Sequence, residues 1–190
     1  MCYKIPSEYL GGKREDIIND DVRNMMYALA ASTKSEDPST QVGACYVNPE
    51  GKLLSVGYNT ALWNKDTFPY SGKIKEIGLE NTKYPYIVHA EIMGIYNYQG
   101  KITDFEGATL YTTLAPCENC ARFVAGLGIK RIVCLNERKY GDIDTSKVII
   151  DNCKIEYINL KDKLSISKII LDLTKNEKEN VQILKYEKKD

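Results

Sequence analysis

Two short runs, His89-Ala90-Glu91 and Pro116-Cys117-Glu118-Asn119-Cys120, constrain this chain more than any other feature. They read H-x-E and P-C-x-x-C. That pairing is a recorded signature for one zinc ion held by the His and both Cys, with the Glu moving protons rather than binding metal. Its physical logic can be checked residue by residue. If the second run opens a helix, both sulfurs face one side of the first turn, where unpaired N–H groups and the positive dipole end favour thiolates. Pro116 suits the start of that turn, which tolerates its missing N–H. Three protein ligands leave the fourth tetrahedral position open, as in a catalytic rather than a structural zinc site. Zinc lowers the pKa of a bound water towards ~7. Glu91, two residues from His89, is close enough to reach such a water and a substrate nitrogen. Any fold of this chain must therefore bring two separated segments together around one ion.

A lone C-x-x-C also serves as half of a structural site or as a redox pair, and a lone His is usually a surface or core residue. Here His89 is the only His, and no second C-x-x-C exists to complete a structural site. Both facts favour catalytic zinc. Cys117 and Cys120 go to the metal; Cys45 and Cys134 lie in apolar runs and are expected to be buried. Cys2 and Cys153 carry no readable signal. A reducing, cytoplasmic compartment is the simplest expectation.

The chain has 190 residues, 43% of them hydrophobic, which suits one domain with a sizeable core. The start, Met1 to Pro6, has no apolar core of a secretory signal, and no run approaches the ~20 apolar residues of a membrane span. The 26 basic and 26 acidic residues balance. Nucleic-acid binding needs a basic face, so balance points to a small substrate, with neither nucleic acid nor membrane as partner.

Read in order, residues 1–19 are an irregular N-terminal arm. Val22, Met25, Met26, Leu29 and Ala30 recur at helical spacing, predicting a helix over 21–35 with the methionines in the core. Strands are predicted at 42–47 and 53–58, joined by a turn at Asn48 to Gly51. Residues 60–86 form a long inserted segment. Such segments are often lids or binding loops, and the bland alternative is a surface excursion packed on its own aromatics. Helices are then predicted at 89–98, 117–125, 145–152 and 164–175, and strands at 108–113, 131–135 and 155–159. The residues past 185 are charged and expected to fray. A hairpin followed by strand–helix alternation implies a three-layer α-β-α sandwich in one domain. Its mixed five-stranded sheet would hold an N-terminal hairpin and then parallel strands.

Beyond the zinc motifs, several stretches carry a family resemblance: Lys13 to Asp16, Lys34 to Cys45, Gly57-Tyr58-Asn59, Asn81 to Glu91, Thr109 to Cys120, Gly128-Ile129-Lys130 and Lys139-Tyr140. On these the chain resembles the deoxycytidylate (dCMP) deaminases of the cytidine-deaminase-like zinc superfamily. The Thr82-Lys83-Tyr84-Pro85-Tyr86 run is more specific than the zinc motifs, which the whole superfamily shares. The resemblance implies one catalytic zinc per chain on His89, Cys117 and Cys120, with Glu91 as the proton shuttle. It implies a hydrolase acting on a cyclic amidine C–N bond, converting dCMP to dUMP and ammonia and so supplying thymidylate synthesis. It implies that Asn59 hydrogen-bonds the nucleoside and that the Ala90 N–H meets the pyrimidine oxygen. Asn119, Arg122 and Tyr140 are candidates for the phosphate, and the bland reading of Arg122 is a solvated surface charge. It further implies a homo-oligomer, a hexamer in the family, with dCTP and dTTP as effectors.

Four positions depart from the family pattern. Thr60 replaces the last Gly of G-Y-N-G, Met93 replaces an Asn, Gly94 an Ala, and Ala115 a common Phe. These changes leave the zinc chemistry untouched and bear on effector control and substrate preference. The alternatives are the same chemistry on another cytosine compound (dCTP, deoxycytidine, a modified dCMP) or a non-catalytic nucleotide-binding relative.

Overall fold

The computed structural model describes residues 11–13, 17–62, 78–138 and 144–160. Most of the N-terminal arm, most of the inserted segment, Tyr140, and the helix expected at 164–175 with its charged tail lie outside the described residues.

The elements are α1 (Asp20–Ser32), β1 (Gly43–Val47), β2 (Leu53–Tyr58), β3 (Thr60–Ala61), β4 (Ile87–Val88), α2 (Ala90–Tyr96), β5 (Thr109–Leu114), α3 (Glu118–Gly126), β6 (Arg131–Asn136), α4 (Thr145–Asn152) and β7 (Glu156–Asn159). Helix α1 starts slightly earlier than its apolar period suggests. Asn19 caps it, accepting the Val22 N–H at 3.0 Å, and Asp20 and Asp21 favour the positive end of the dipole.

The main sheet runs β2-β1-β5-β6-β7. β1 is antiparallel to β2 and to β5, and β5, β6 and β7 are parallel. This is the expected mixed sheet. Both faces are covered, so every β1 residue is buried despite the alternation of its side chains. Ala44 and Tyr46 join one core with Leu110, Ile132, Ala121, Val124 and Ile150, under α2, α3 and α4. Cys45 and Val47 join the other with Met25, Ala28, Tyr111 and Val133, under α1. The stripe of methionines on α1 thus packs as core, through Met25. A bidentate ion pair, Arg131 to Asp21 with both N–O distances 2.7 Å, ties α1 to β6. Among the described residues no helix is long and apolar enough to cross a membrane. Cys45 and Cys134 are buried and unbridged, as expected.

One feature was not anticipated. Thr60 and Ala61 pair with Val88 and Ile87 in a small antiparallel ribbon, β3–β4. Two residues per strand leave no readable period. The ribbon draws the ends of the inserted segment together and sets Asn59 and His89, which flank it, side by side.

Helix α2 lies unusually close to the sheet. A Cβ on Gly57 would stand 2.2 Å from the Gly94 nitrogen and 2.3 Å from the Ala90 oxygen. A Cβ on Gly94 would stand 2.7 Å from the Tyr46 ring. That ring is fully buried, packs edge-on against Phe105 at 5.0 Å, and donates its hydroxyl to the Glu91 carbonyl at 2.9 Å. Gly94 therefore makes room for Tyr46 where the family's Ala would crowd the ring.

Helix propensity alone favours Gly94→Ala by about 1 kcal/mol. The clash should outweigh this and leave the variant about 1–2 kcal/mol less stable. In a Tyr46→Val background the same substitution should become neutral or stabilising. Urea unfolding of the zinc-loaded variants reads this directly, and equal effects in both backgrounds would refute the coupling.

Candidate metal centre and active site

His89 is the N-cap of α2 and Cys117 the N-cap of α3, and Cys120 lies in the first turn of α3. These two adjacent helices therefore present their donors to one point, as the motif logic required. Nδ1 of His89 lies 3.4 Å from each sulfur. The three donor atoms all lie within 4.8 Å of one another. Around a tetrahedral zinc, with Zn–N of about 2.1 Å and Zn–S of about 2.3 Å, neighbouring N and S ligands stand roughly 3.6 Å apart. The donor set fits that ion in type and spacing.

The Pro116-Cys117 turn is held from three sides. Ala115 N–H donates to the Asn136 carbonyl at 2.8 Å, Arg138 Nε donates to the Ala115 carbonyl at 2.6 Å, and the buried Ser146 hydroxyl donates to the Pro116 carbonyl at 2.8 Å. The turn that carries Cys117 is thus held by one backbone bond from β6 and by side-chain bonds from Arg138 and from Ser146 of α4.

The protonation states also suit a cation. Hydrogen bonding from Cys120 and from His89 holds the Cys117 thiol far below its ordinary range, against the opposing effect of burial. The same contact with Cys117, together with burial, pushes Cys120 up. Two sulfurs this close resist carrying two negative charges, and a dication among them removes the conflict. Glu91 is fully buried, and among the described residues neither carboxylate oxygen accepts a regular hydrogen bond, although the Cys120 sulfur lies close enough to interact with it. Burial raises its pKa, opposed by the charges of His89 and Arg138. A buried carboxylate without partners is costly and calls for a functional explanation.

A cavity opens beside these groups, with an apolar wall that includes Val42, Ile87 and Leu114. Its polar lining comes from Asp37, Asn59, Lys83, His89, Glu91 and Arg138. Ala90, fully buried, also lines it. As a first-turn residue, its N–H has no intrahelical partner. Asn59 lines the cavity too, but its amide is fully engaged. Oδ1 accepts from Ser35 Oγ at 2.7 Å and Val42 N–H at 2.7 Å, and Nδ2 donates to Asp37 at 3.2 Å and the Thr40 carbonyl at 2.9 Å. Asn119 and Arg122 pair with each other on the exposed face of α3, outside the cavity lining.

Sequence reasoning missed two cavity cations. Lys83 sits within the Thr82 to Tyr86 run, and Arg138 just before Lys139-Tyr140. An isolated loop cation has no periodic signal, so only their place in those stretches could have flagged them. Lys83 pairs with Asp37 at 2.6 Å, where their side chains are 11% and 3% exposed, and it also contacts Ser39. Burial pushes the Asp37 carboxyl up, but Lys83 and hydrogen bonds from Ser39 and Thr40 outweigh it and hold it below its ordinary value.

A family model described as the cytidine and deoxycytidylate deaminase zinc-binding region matches residues 18–136. The chain belongs to this deaminase family. Its domain is zinc-binding and its reaction class hydrolytic deamination. The deoxycytidylate deaminase of Pongo abelii is 33% identical over 171 residues, covering 87% of this chain and 92% of that protein. The Homo sapiens deoxycytidylate deaminase is 37% identical over 140 residues, covering 73% of this chain and 76% of that protein. The dCMP deaminase of cyanophage S-TIM5, solved with dCMP and dUMP, superposes with a TM-score of 0.57 at 22% identity, over 71% of this chain and 92% of that one. At that identity the superposition speaks for the fold, the cytidine-deaminase-like mixed sheet.

Two predictions follow from the site of this deaminase. Removing zinc from the folded protein with a chelator should lower the melting temperature by about 5–10 °C, and restoring zinc should reverse it. The same shift in His89→Ala would refute the ligand set. Lys83→Met strands the buried Asp37 carboxylate and should destabilise the chain by about 3 kcal/mol at neutral pH. Because Asp37's folded pKa lies below its ordinary 3.8, the ion pair's contribution is complete above about pH 4 and lost as pH falls through the folded value. The difference between wild type and Lys83→Met, measured by denaturant titration, should therefore shrink in acid.

Proposed function

We propose that this chain hydrolyses dCMP to dUMP and ammonia. The observation that carries the reading is Glu91, fully buried and, among the described residues, without a regular hydrogen-bond partner, set beside a His–Cys–Cys donor cluster at the end of a cavity. The similarity to deoxycytidylate deaminases over most of the chain supports the substrate.

In this reading His89, Cys117 and Cys120 hold the zinc, which when bound supplies a Lewis acid that brings the pKa of a water towards ~7. Glu91 takes a proton from the attacking water and gives it to the ring nitrogen N3 of the cytosine. As the oxygen bonds to C4, Glu91 takes the remaining proton of that added hydroxyl and passes it to the amino group, whose C4–N bond breaks, so that water and dCMP become dUMP and ammonia. Burial suits Glu91 to this work, because a raised pKa lets one carboxyl both accept and return a proton near neutral pH. The Ala90 N–H, at the start of α2, orients the pyrimidine through its C2 carbonyl oxygen. The apolar wall packs the ring and keeps bulk water away from it. Asn59 fixes the loop that carries Asp37 and Thr40; it reaches a nucleoside directly by exchanging one of its four bonds.

Beyond the single chain, we expect a homo-oligomer, which would bury the exposed Phe123 of α3 and Val148 of α4. The dCTP and dTTP effectors, and a reducing cytoplasmic setting for the unbridged thiols, belong to the same proposal.

Ammonia release from the zinc-loaded protein tests it. The expected result is turnover of dCMP that falls by at least about 10²–10⁴-fold in Glu91→Gln, with zinc content retained. Glu91→Gln should also be no less stable than wild type, since an amide costs less to bury than a carboxylate. Full activity in Glu91→Gln, or activity indifferent to zinc removal, would refute the mechanism.

A further inference from the structure

Arg138 stands two residues beyond β6, half-buried, in the cavity lining. Its Nε is spent on the Ala115 carbonyl at 2.6 Å, immediately before the Pro116-Cys117 turn. That bond anchors the guanidinium to the backbone that carries the metal ligands. Its terminal nitrogens make no hydrogen bond or ion pair among the described residues. The other charges lining the cavity are accounted for. Asp37 and Lys83 neutralise each other at 2.6 Å, and His89 and Glu91 belong to the reacting end. The Arg138 charge is felt by Glu91, but among the described residues Arg138 is the one lining cation whose terminal nitrogens form no ion pair. A guanidinium has five donors in a planar fork, and the free edge matches the oxygens of a phosphate.

We infer that Arg138 is the anion-recognition residue of this site and takes the 5′-phosphate of the substrate. One guanidinium fork matches one phosphate monoester. The assignment rests on the deaminase reading above. Asn119 and Arg122, which engage each other outside the cavity, are not needed for it.

The test compares wild type, Arg138→Ala and Arg138→Lys, all zinc-loaded, on dCMP and deoxycytidine. Zinc content and melting temperature are measured alongside. The ratio of kcat/KM for dCMP to that for deoxycytidine should fall about 10- to 100-fold in Arg138→Ala, chiefly through KM on dCMP. Arg138→Lys keeps the charge without the fork and should fall between. Should Arg138→Ala fail to fold, the lysine variant carries the test alone. An unchanged ratio in a folded variant, or a wild type that turns over deoxycytidine as well as dCMP, overturns the inference while leaving the deamination mechanism standing. Calorimetric binding of dUMP and deoxyuridine reads the same contact without turnover. Weaker dUMP binding in Arg138→Ala, with deoxyuridine affected less, supports the inference even where wild type deaminates neither compound, an outcome that would instead defeat the proposed reaction. Equal dUMP binding by wild type and Arg138→Ala overturns it.

Discussion

Three groups that can each carry negative charge, Cys117, Cys120 and Glu91, are held in one buried volume beside His89. Two like charges about 4 Å apart repel by roughly 4 kcal/mol near a protein surface, and by more as water is excluded. Left to itself such a cluster would drift apart or take up protons. Here it cannot drift apart, because each donor sits on backbone fixed elsewhere, and the strain shows instead as raised proton affinity at Cys120 and Glu91. His89 is locked between the β3–β4 ribbon and α2. The Cys117 turn is bonded from β6 and α4. The fold supplies the rigidity, and a dication supplies the attraction that makes the arrangement favourable. The donor set, one His and two Cys at this spacing, suits a compact tetrahedral ion.

The placement of Glu91 extends the same logic. Its carboxyl reaches the cavity because α2 lies close on β1 and β2, and that approach depends on Gly57 and Gly94 lacking side chains. Tyr46 fills the space beneath and bonds the Glu91 carbonyl, so the residue that moves protons is held from its own backbone. Among the described residues its carboxylate oxygens accept no regular hydrogen bond. In stability terms that is a defect; in chemical terms it leaves the lone pairs of a base available. Asn59 shows the opposite design. All four of its bonds are made, and what it contributes is a stiff wall joining Ser35, Asp37, Thr40 and Val42.

Much of this was legible in the chain. The zinc donors, Glu91, the hairpin and the helix over 145–152 could be read from local spacing. Each is a short-range pattern, repeated every two or three to four residues or concentrated in one motif. The contacts that shape the cavity were not legible, because they join residues distant in sequence. Lys83 and Asp37 are 46 positions apart. Tyr46 and Glu91 are 45 apart. The Gly94 departure was visible as a difference from the family, but its cause, the Tyr46 ring, appears only when strand and helix are packed. Asn119 and Arg122 drew attention because they flank a metal ligand. Helical geometry instead turns them outwards, since they sit on the face of α3 away from the sheet.

The balance of charge shows why composition cannot settle recognition. A chain with 26 basic and 26 acidic residues has no net field to gather a polyanion. Yet net charge is a sum over the whole chain, and a binding site feels only its nearest few groups. Within the cavity lining, Lys83 is cancelled by Asp37 and Arg138 is not. A polynucleotide would need many such cations along an extended face to replace the counterions it sheds. A single phosphate needs one, provided that it is anchored and that its partner acid is absent. Among the described residues Arg138 is anchored and in no ion pair, so a neutral protein can offer a small anion a site while offering little to a long one.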